Sequence, residues 1–164
     1  MGIDKSYVGK ARKYIDSNLL GKGGYKFLLD KEKLRKYQSI CAVYLYLNDK
    51  SNEGKNINTF FFDTYTEEGK NSFFRSQRGS EGKRRFFTPS NGLILDCIMN
   101  KIRDWYTNGK LDGYFLYTLT CSVIDALEKV SNTQGTYHDF PREKYDSRSL
   151  NALVLIPPPY DDII

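Results

Sequence analysis

Apolar and polar positions along the chain repeat mostly with the period of a helix. "DKEKLRKYQSICAVYLYLN" (30–48) opens with an aspartate suited to capping, then sets Leu34, Tyr37, Ile40, Cys41, Tyr44 and Leu45 along one stripe. The clearest rhythm runs through "LDGYFLYTLTCSVIDALEKV" (111–130), where Phe115, Leu116, Leu119, Val123, Ile124, Leu127 and Val130 recur at three- and four-residue steps. "DKSYVGKARKYIDSNLL" (4–20) has helical character and meets a plausible stop in the glycine cluster 21–24. In "TPSNG" (88–92), Thr88 or Ser90 can cap a helix and Pro89 suits its first turn. The helix that follows, 93–109, places Ile94, Cys97, Ile98, Ile102 and Trp105 on one stripe and leaves Leu93, Leu95 and Met99 off it; Asn108-Gly109 ends it.

Two segments carry strand character. "INTFFFDTY" (57–65) is short, aromatic and β-branched, and "ALVLI" (152–156) predicts a buried strand running into "PPPYDDII". The stretch 49–56 is a polar loop by composition, Gly79 and Gly82 argue for a loop over 70–88, and the tail is irregular to Ser149. These elements predict an α+β protein (or an α/β remnant): a mostly helical single domain over 1–164 with a few short strands. Within it lie a basic loop (70–88), a helical pair with the turn after it (89–137), and a strand with a proline-rich tail (150–164). With 164 residues the chain is long enough for one domain with a real core.

Composition narrows the setting. The three cysteines (Cys41, Cys97, Cys121) lie in apolar stretches without a CxxC pair, which predicts small buried hydrophobes in a reducing, cytoplasmic compartment and argues against a disulfide framework or a cysteine zinc site. The longest uncharged apolar run, "GYFLYTLTCSVI" (113–124), is too short to span a bilayer, and no signal peptide opens the chain, so no membrane partner is expected. "MGIDKS" fits the loose M-G-x-x-x-S acylation pattern, which is common by chance.

Charge changes the picture more. Between Lys70 and Thr88, "KNSFFRSQRGSEGKRRFFT" holds six basic residues (Lys70, Arg75, Arg78, Lys83, Arg84, Arg85) against one acid, Glu81. That segment carries the whole formal net charge of +5; the remainder balances at nineteen basic and nineteen acidic residues. Basic side chains neutralise phosphates with counterion release, arginine forks read guanine edges, and Phe73, Phe74, Phe86 and Phe87 are placed to stack or to pack. The alternative is a solvated surface loop anchored by its phenylalanines, and packing is the favoured role for those rings.

Catalytic constellations are scarce. His138, the sole histidine, stands beside Asp139 and reads as a loop residue. The 21–24 glycines lack the spacing and Ser/Thr of a P-loop, no GxGxxG follows a strand, and the acid pairs Glu67-Glu68 and Asp161-Asp162 sit in polar, solvated contexts. No metal site is indicated.

Three stretches, in order, resemble a known family. "RRFFTPSNGLILDCIMNKIRDWYTNGKLD" (84–112) resembles the R-x-F-F-T-x-x-N-G…I-D-x-I-R-x-x-I-x-x-W pattern of site-specific adenine DNA methyltransferases of the Dam-related class, enzymes of restriction-modification. "YFLYTLTCSVIDALEKVSNTQGTY" (114–137) resembles the next helix and its N-T-x-G-x-Y turn, and "DSRSLNALVLIPPP" (146–159) a downstream W-D-x-R-A-L-x-P-L-x-L-x-P-P segment. "SYVGKARKYIDSNLL" weakly resembles the helix after that family's ribose-binding strand. The resemblance implies the insert that recognises the target, with Arg84, Arg85, Asn132, Thr133, Gly135 and Tyr137 on the DNA side or in the cleft.

Departures are equally informative. No F-x-G-x-G turn for S-adenosylmethionine precedes residue 20, the match breaks after Tyr137 at "HDFPREK", and "PPPY" (157–160) has Pro157 where the family's D-P-P-Y motif carries its acceptor. By order and spacing this PPPY belongs to the L-x-L-x-P-P segment; a degenerate catalytic motif and a proline-rich partner ligand are the other readings. The expectation is therefore a DNA-binding module with no catalytic residue of its own. Lys70, Arg75, Arg78, Lys83, Arg84 and Arg85 would track phosphates of double-stranded DNA, while Asn132, Thr133 and Tyr137 would line the approach to a base. No cofactor is expected for the chain alone, and S-adenosylmethionine only if a catalytic subunit completes it; a homo-oligomer is the other assembly considered. The alternative is a structural or interaction protein derived from that fold, acting through an aromatic-rich interface.

Overall fold

The computed structural model describes residues 1–20, 30–49, 57–77, 79–133 and 143–160. The expected glycine stop at 21–24, the loop 50–56, Arg78, Gly135, Tyr137, His138 and the Asp161-Asp162 pair lie outside them. The fold is α+β and mostly helical, with one two-stranded antiparallel sheet among the described residues. Its contacts form two compact units, residues 1–52 with 155–164 and residues 53–154.

In the first unit, α1 (Ser6–Ile15) continues into a π-helical turn, Asp16–Leu20, and packs on α2 (Lys31–Asn48). Tyr7, Ala11 and Ile15, spaced one turn apart, bury against Tyr37, Cys41 and Ala42. Asp30 caps α2 as expected, accepting from the backbone N–H of Glu32 (2.7 Å) and Lys33 (3.0 Å). The stripe expected on α2 is broader than its pattern: Ala42, Val43 and Leu47 are buried with Tyr37, Cys41 and Tyr44, while Leu34, Ile40 and Leu45 are half-buried. Burial pushes the Cys41 thiol up to about 11. Residues 155–160 belong to this unit. Asn48 donates through Nδ2 to the Leu155 carbonyl and accepts through Oδ1 from the Leu155 N–H, both at 2.8 Å. The Tyr37 hydroxyl donates to the Pro158 carbonyl (3.2 Å), and its ring meets Tyr160 edge-on at 5.4 Å. The Pro-Pro-Pro-Tyr run is thus packed on α2, with Pro157 buried.

The second unit holds α3 (Phe60–Tyr65), β1 (Phe73–Arg75), β2 (Glu81–Lys83), α4 (Pro89–Thr107) and α5 (Gly113–Val130). The stretch 57–65, expected as a strand, is helical over 60–65. The buried carboxylate of Asp96, on α4, accepts from the N–H of Phe61 (2.9 Å) and Phe62 (2.8 Å), and Asn100 bonds both the N–H and the carbonyl of Asn58. A cap supplied by another helix overrides the strand preference of three phenylalanines. Burial raises the Asp96 pKa, opposed by these two hydrogen bonds.

Helix α4 starts as its residues dictate, with Thr88 accepting from the Asn91 N–H (3.2 Å) and Pro89 in the first turn. Its buried stripe is rotated from the expected one: Leu95, Ile98, Ile102 and Trp105 are buried, Ile94 and Cys97 only partly, and Leu93 is exposed. Asn91 and Asp96 cause the rotation, since both point inward to serve backbone groups of other segments. Gly92 sits between them, where a Cβ would fall 2.5 Å from Thr66 Cγ2, so α3 lies close against α4. Asp112 caps α5, whose Leu119, Val123, Ala126 and Val130 are buried; Ile124, expected on that stripe, is exposed. Cys121 is exposed and Cys97 partly buried, so of the three thiols expected inside only Cys41 is fully buried.

The run 152–156 is extended, with Leu153 and Leu155 buried and Val154 and Ile156 exposed, but it pairs with no strand among the described residues. Side-chain amides take the place of a ladder. Asn91 donates to the Asn151 carbonyl (2.8 Å) and accepts from the Leu153 N–H (2.9 Å), as Asn48 does for Leu155. Among the described residues no helix is long and apolar enough to cross a membrane.

Replacing Asn91 with alanine strands the Leu153 N–H in a buried position and frees the Asn151 carbonyl. Asn91→Ala is expected to lower stability by about 2–4 kcal/mol, read as a fall in the urea midpoint. An unchanged midpoint would mean that the clasp contributes nothing.

Candidate functional site

The basic segment, expected as a loop, is a β-hairpin. Phe73 faces Lys83, Phe74 faces Gly82 and Arg75 faces Glu81. Its glycines suggest irregular backbone, and each strand is only three residues long, too short for alternation to show in the sequence. The Ser72 carbonyl accepts from the Arg84 N–H (2.9 Å), and the Tyr65 carbonyl accepts from Phe86 (3.1 Å) and Phe87 (3.2 Å), tying the hairpin base to the end of α3. Gly69 permits the turn between them, because a Cβ there would collide with the carbonyl oxygens of Phe62 and Asp63. The rings of Tyr65, Phe86 and Phe87 pack together, and Phe87 is buried.

The basic residues are not equivalent. Lys70 Nζ lies 3.0 Å from Asp63 Oδ2, and that contact, with the Thr59 hydroxyl, holds the Asp63 carboxyl below its ordinary range. Arg75 reaches Glu81 Oε2 through Nε (2.8 Å) and Nη2 (2.7 Å). Arg85 Nε donates to Glu67 Oε2 at 2.6 Å in a half-buried pair. Arg84 donates to the Asn71 carbonyl (3.2 Å) and lies 5.5 Å from the Phe74 ring centroid, a cation–π arrangement. Lys83 is exposed, and among the described residues no carboxylate pairs with Lys83 or Arg84. Alternation along the hairpin exposes Phe73, Arg75, Glu81 and Lys83 on one face and turns Phe74 and Gly82 to the other.

Asn132 and Thr133 follow the end of α5 and are buried. The Asn132 N–H donates to the Phe86 carbonyl (2.8 Å), its amide donates to the Lys144 carbonyl (3.2 Å), and its Oδ1 accepts from the Asp146 N–H (3.1 Å). The Thr133 hydroxyl lies 3.2 Å from that of Ser131. Asn132 therefore joins the arginine-bearing segment 84–87 to the returning segment 143–149. Arg78 and Tyr137 lie outside the described residues.

Glu67, Tyr145 and Arg148 also shape the site, and the sequence pattern does not single them out. Glu67 reads as a solvated acid beside Glu68, and nothing local marks it as the partner of Arg85, eighteen residues on. Arg148 Nη2 donates to the carbonyls of Ser131 (2.8 Å) and Thr133 (3.0 Å), in the buried segment that follows α5. The Tyr145 hydroxyl donates to the Phe87 carbonyl (3.1 Å). Burial first, then the Glu67 carboxylate, pushes the Tyr145 phenol up to about 12, with Arg85 opposing.

An unfolded tyrosine loses its proton near 10, so between pH 10 and about 12 the folded state holds a proton that the unfolded state has released. Stability therefore falls as pH rises through that window, and Tyr14 and Tyr37, both raised chiefly by burial, act in the same direction. Tyr145→Phe is expected to lose less stability than the parent between pH 9 and pH 11 in urea denaturation. Equal losses would remove Tyr145 from the cause.

A 65-residue stretch, 40% of the chain, is 42% identical to the modification methylase StsI of Streptococcus sanguinis. The matched stretch spans only 10% of that relative's length. No family model and no solved structure matches the chain. A segment of this protein is thus related to a modification methylase.

Proposed function

We propose that this chain is a DNA-binding module of the kind that recognises the target in an adenine-specific DNA methyltransferase of the Dam-related class, catalytically incomplete by itself. The identity of its segment to a modification methylase carries this reading. A hairpin that presents Lys83 and Arg84 with no neutralising carboxylate among the described residues supports it. These two side chains are the phosphate contacts, and Lys70, Arg75 and Arg85, each already paired with a carboxylate, contribute by shaping the hairpin and its base. Polarising an adenine amino group needs a side-chain acceptor, and even read as a degenerate D-P-P-Y motif the PPPY run has none, because Pro157 offers no acceptor. S-adenosylmethionine chemistry would enter with a catalytic partner inside the cell.

Anisotropy of a short labelled DNA duplex over a salt series tests this. The parent is expected to bind with affinity falling steeply as salt rises, and Lys83→Ala/Arg84→Ala to lower the slope of log K against log salt by about two. Arg85 is left in place because it neutralises half-buried Glu67. Binding that is absent, or indifferent to salt, overturns the proposal.

One observation favours a second reading, a structural or interaction protein. Tyr114 (72% exposed), Tyr117 (72%), Cys121 and Ile124 (53%) form an outward apolar stripe on α5 at three- and four-residue spacing. Sedimentation showing a stable dimer that Tyr117→Glu dissociates would favour it, whereas a monomer at 100 μM (~10⁻⁴ M, above the Kd of a stable dimer) would count against it.

A further inference from the structure

We infer that α5 pairs antiparallel with the α5 of a second copy of this chain, with Tyr117 against Cys121 and Lys110 beside Glu128. This rests on the second reading above, names its partner and register, and makes no use of DNA binding.

The outward stripe of α5 has a spacing that is the same in both directions. Tyr114, Tyr117, Cys121 and Ile124 follow one another at steps of three, four and three residues, and Leu119, at the midpoint, is buried in the protein's own core. Such a row keeps to one side of a helix, as the seam positions of a coiled coil do. Turned end for end about Leu119, a second copy sets its Ile124 against Tyr114 and its Cys121 against Tyr117. Each large ring then faces a smaller side chain, and the two rows interdigitate. A parallel copy in register would set ring on ring and leave the small side chains across a gap, without contacts.

Charge selects the same arrangement. Glu128 continues the stripe one turn beyond Ile124, Lys110 lies four residues ahead of Tyr114, and both are exposed. Among the described residues no ion pair engages either of them. The antiparallel register brings Lys110 of each copy to Glu128 of the other, at both ends of the contact. The parallel one sets like charges together. Nucleic acid is a poor occupant of this face, because Asp125 and Glu128 repel phosphate.

The flanks of the stripe allow close approach. Thr118 and Thr120, one on each side of its middle, have hydroxyls that donate to the carbonyls of Tyr114 (3.1 Å) and Leu116 (2.8 Å). Covering them therefore leaves no hydroxyl donor unpaired. A two-fold contact of this kind uses one patch twice and closes at two copies.

Sedimentation equilibrium under a thiol reductant, which keeps Cys121 from cross-linking, reads the dimer Kd. It is measured for the parent, Tyr117→Glu, Ile124→Glu, Lys110→Glu, Glu128→Lys and the double variant Lys110→Glu/Glu128→Lys. Every substituted position is exposed, and urea midpoints confirm that each variant is folded. The parent is expected to dimerise with a Kd below about 100 μM, and Tyr117→Glu and Ile124→Glu to be monomers at that concentration. Each single charge reversal is expected to raise Kd about tenfold, and the double variant to return to within about twofold of the parent. A parental dimer that Tyr117→Glu and Ile124→Glu leave intact, or whose Kd the double variant fails to restore, overturns this inference alone. A parent that stays monomeric overturns it together with the homodimer that the second reading expects.

Discussion

One buried amide clasps the returning run of the second unit. Asn91 stands at the third position of α4, its own N–H held by the Thr88 cap, and its side chain takes a carbonyl and an N–H from the run that returns past it. That run has the alternating burial of a strand but no ladder among the described residues, and side chains serve its polar backbone instead. Asn48 does the same for Leu155 within the other unit. An asparagine amide carries a donor and an acceptor side by side, the arrangement one residue of a neighbouring strand would present, and this lets an extended segment be held without a sheet. Each such amide is buried at a desolvation cost, offset because both of its ends are bonded.

The same logic accounts for the segment that resembles methyltransferases. Phe87 is a buried ring, Thr88 a cap and Pro89 a first-turn proline. Asn91 forms the clasp, Gly92 allows the close approach to Thr66, and Asp96 caps α3. A motif so fully occupied with folding reports shared architecture more than shared chemistry.

What could be read from the sequence follows the range of the forces involved. Caps at Asp30 and Thr88 and the rhythm of α2 and α5 are local, and they appear where the pattern places them. The helix at 60–65 was illegible because its cap comes from Asp96, more than thirty residues later. The burial of Leu95 in place of Ile94 and Cys97 was hidden for a related reason, since periodicity counts apolar residues and α4 is oriented by two polar ones. Asn132 was legible as a special position but not as a clasp, because its partners Phe86, Lys144 and Asp146 come from two separate segments.

Counting charge locates the basic segment but cannot rank its members. Among the described basic residues of 70–88, Lys70, Arg75 and Arg85 lie against carboxylates, two of which, Asp63 and Glu67, come from outside the segment. An exposed pair of this kind adds little to stability, yet it fixes where a long flexible side chain points. Arg84 is restrained differently, by the Asn71 carbonyl and the Phe74 ring, and has no carboxylate partner among the described residues. A cation already held in place loses less conformational freedom when an anion arrives, so more of each contact appears as affinity. Among the described residues, the ion pairs around the hairpin thus leave Lys83 and Arg84 as its cations without a carboxylate partner.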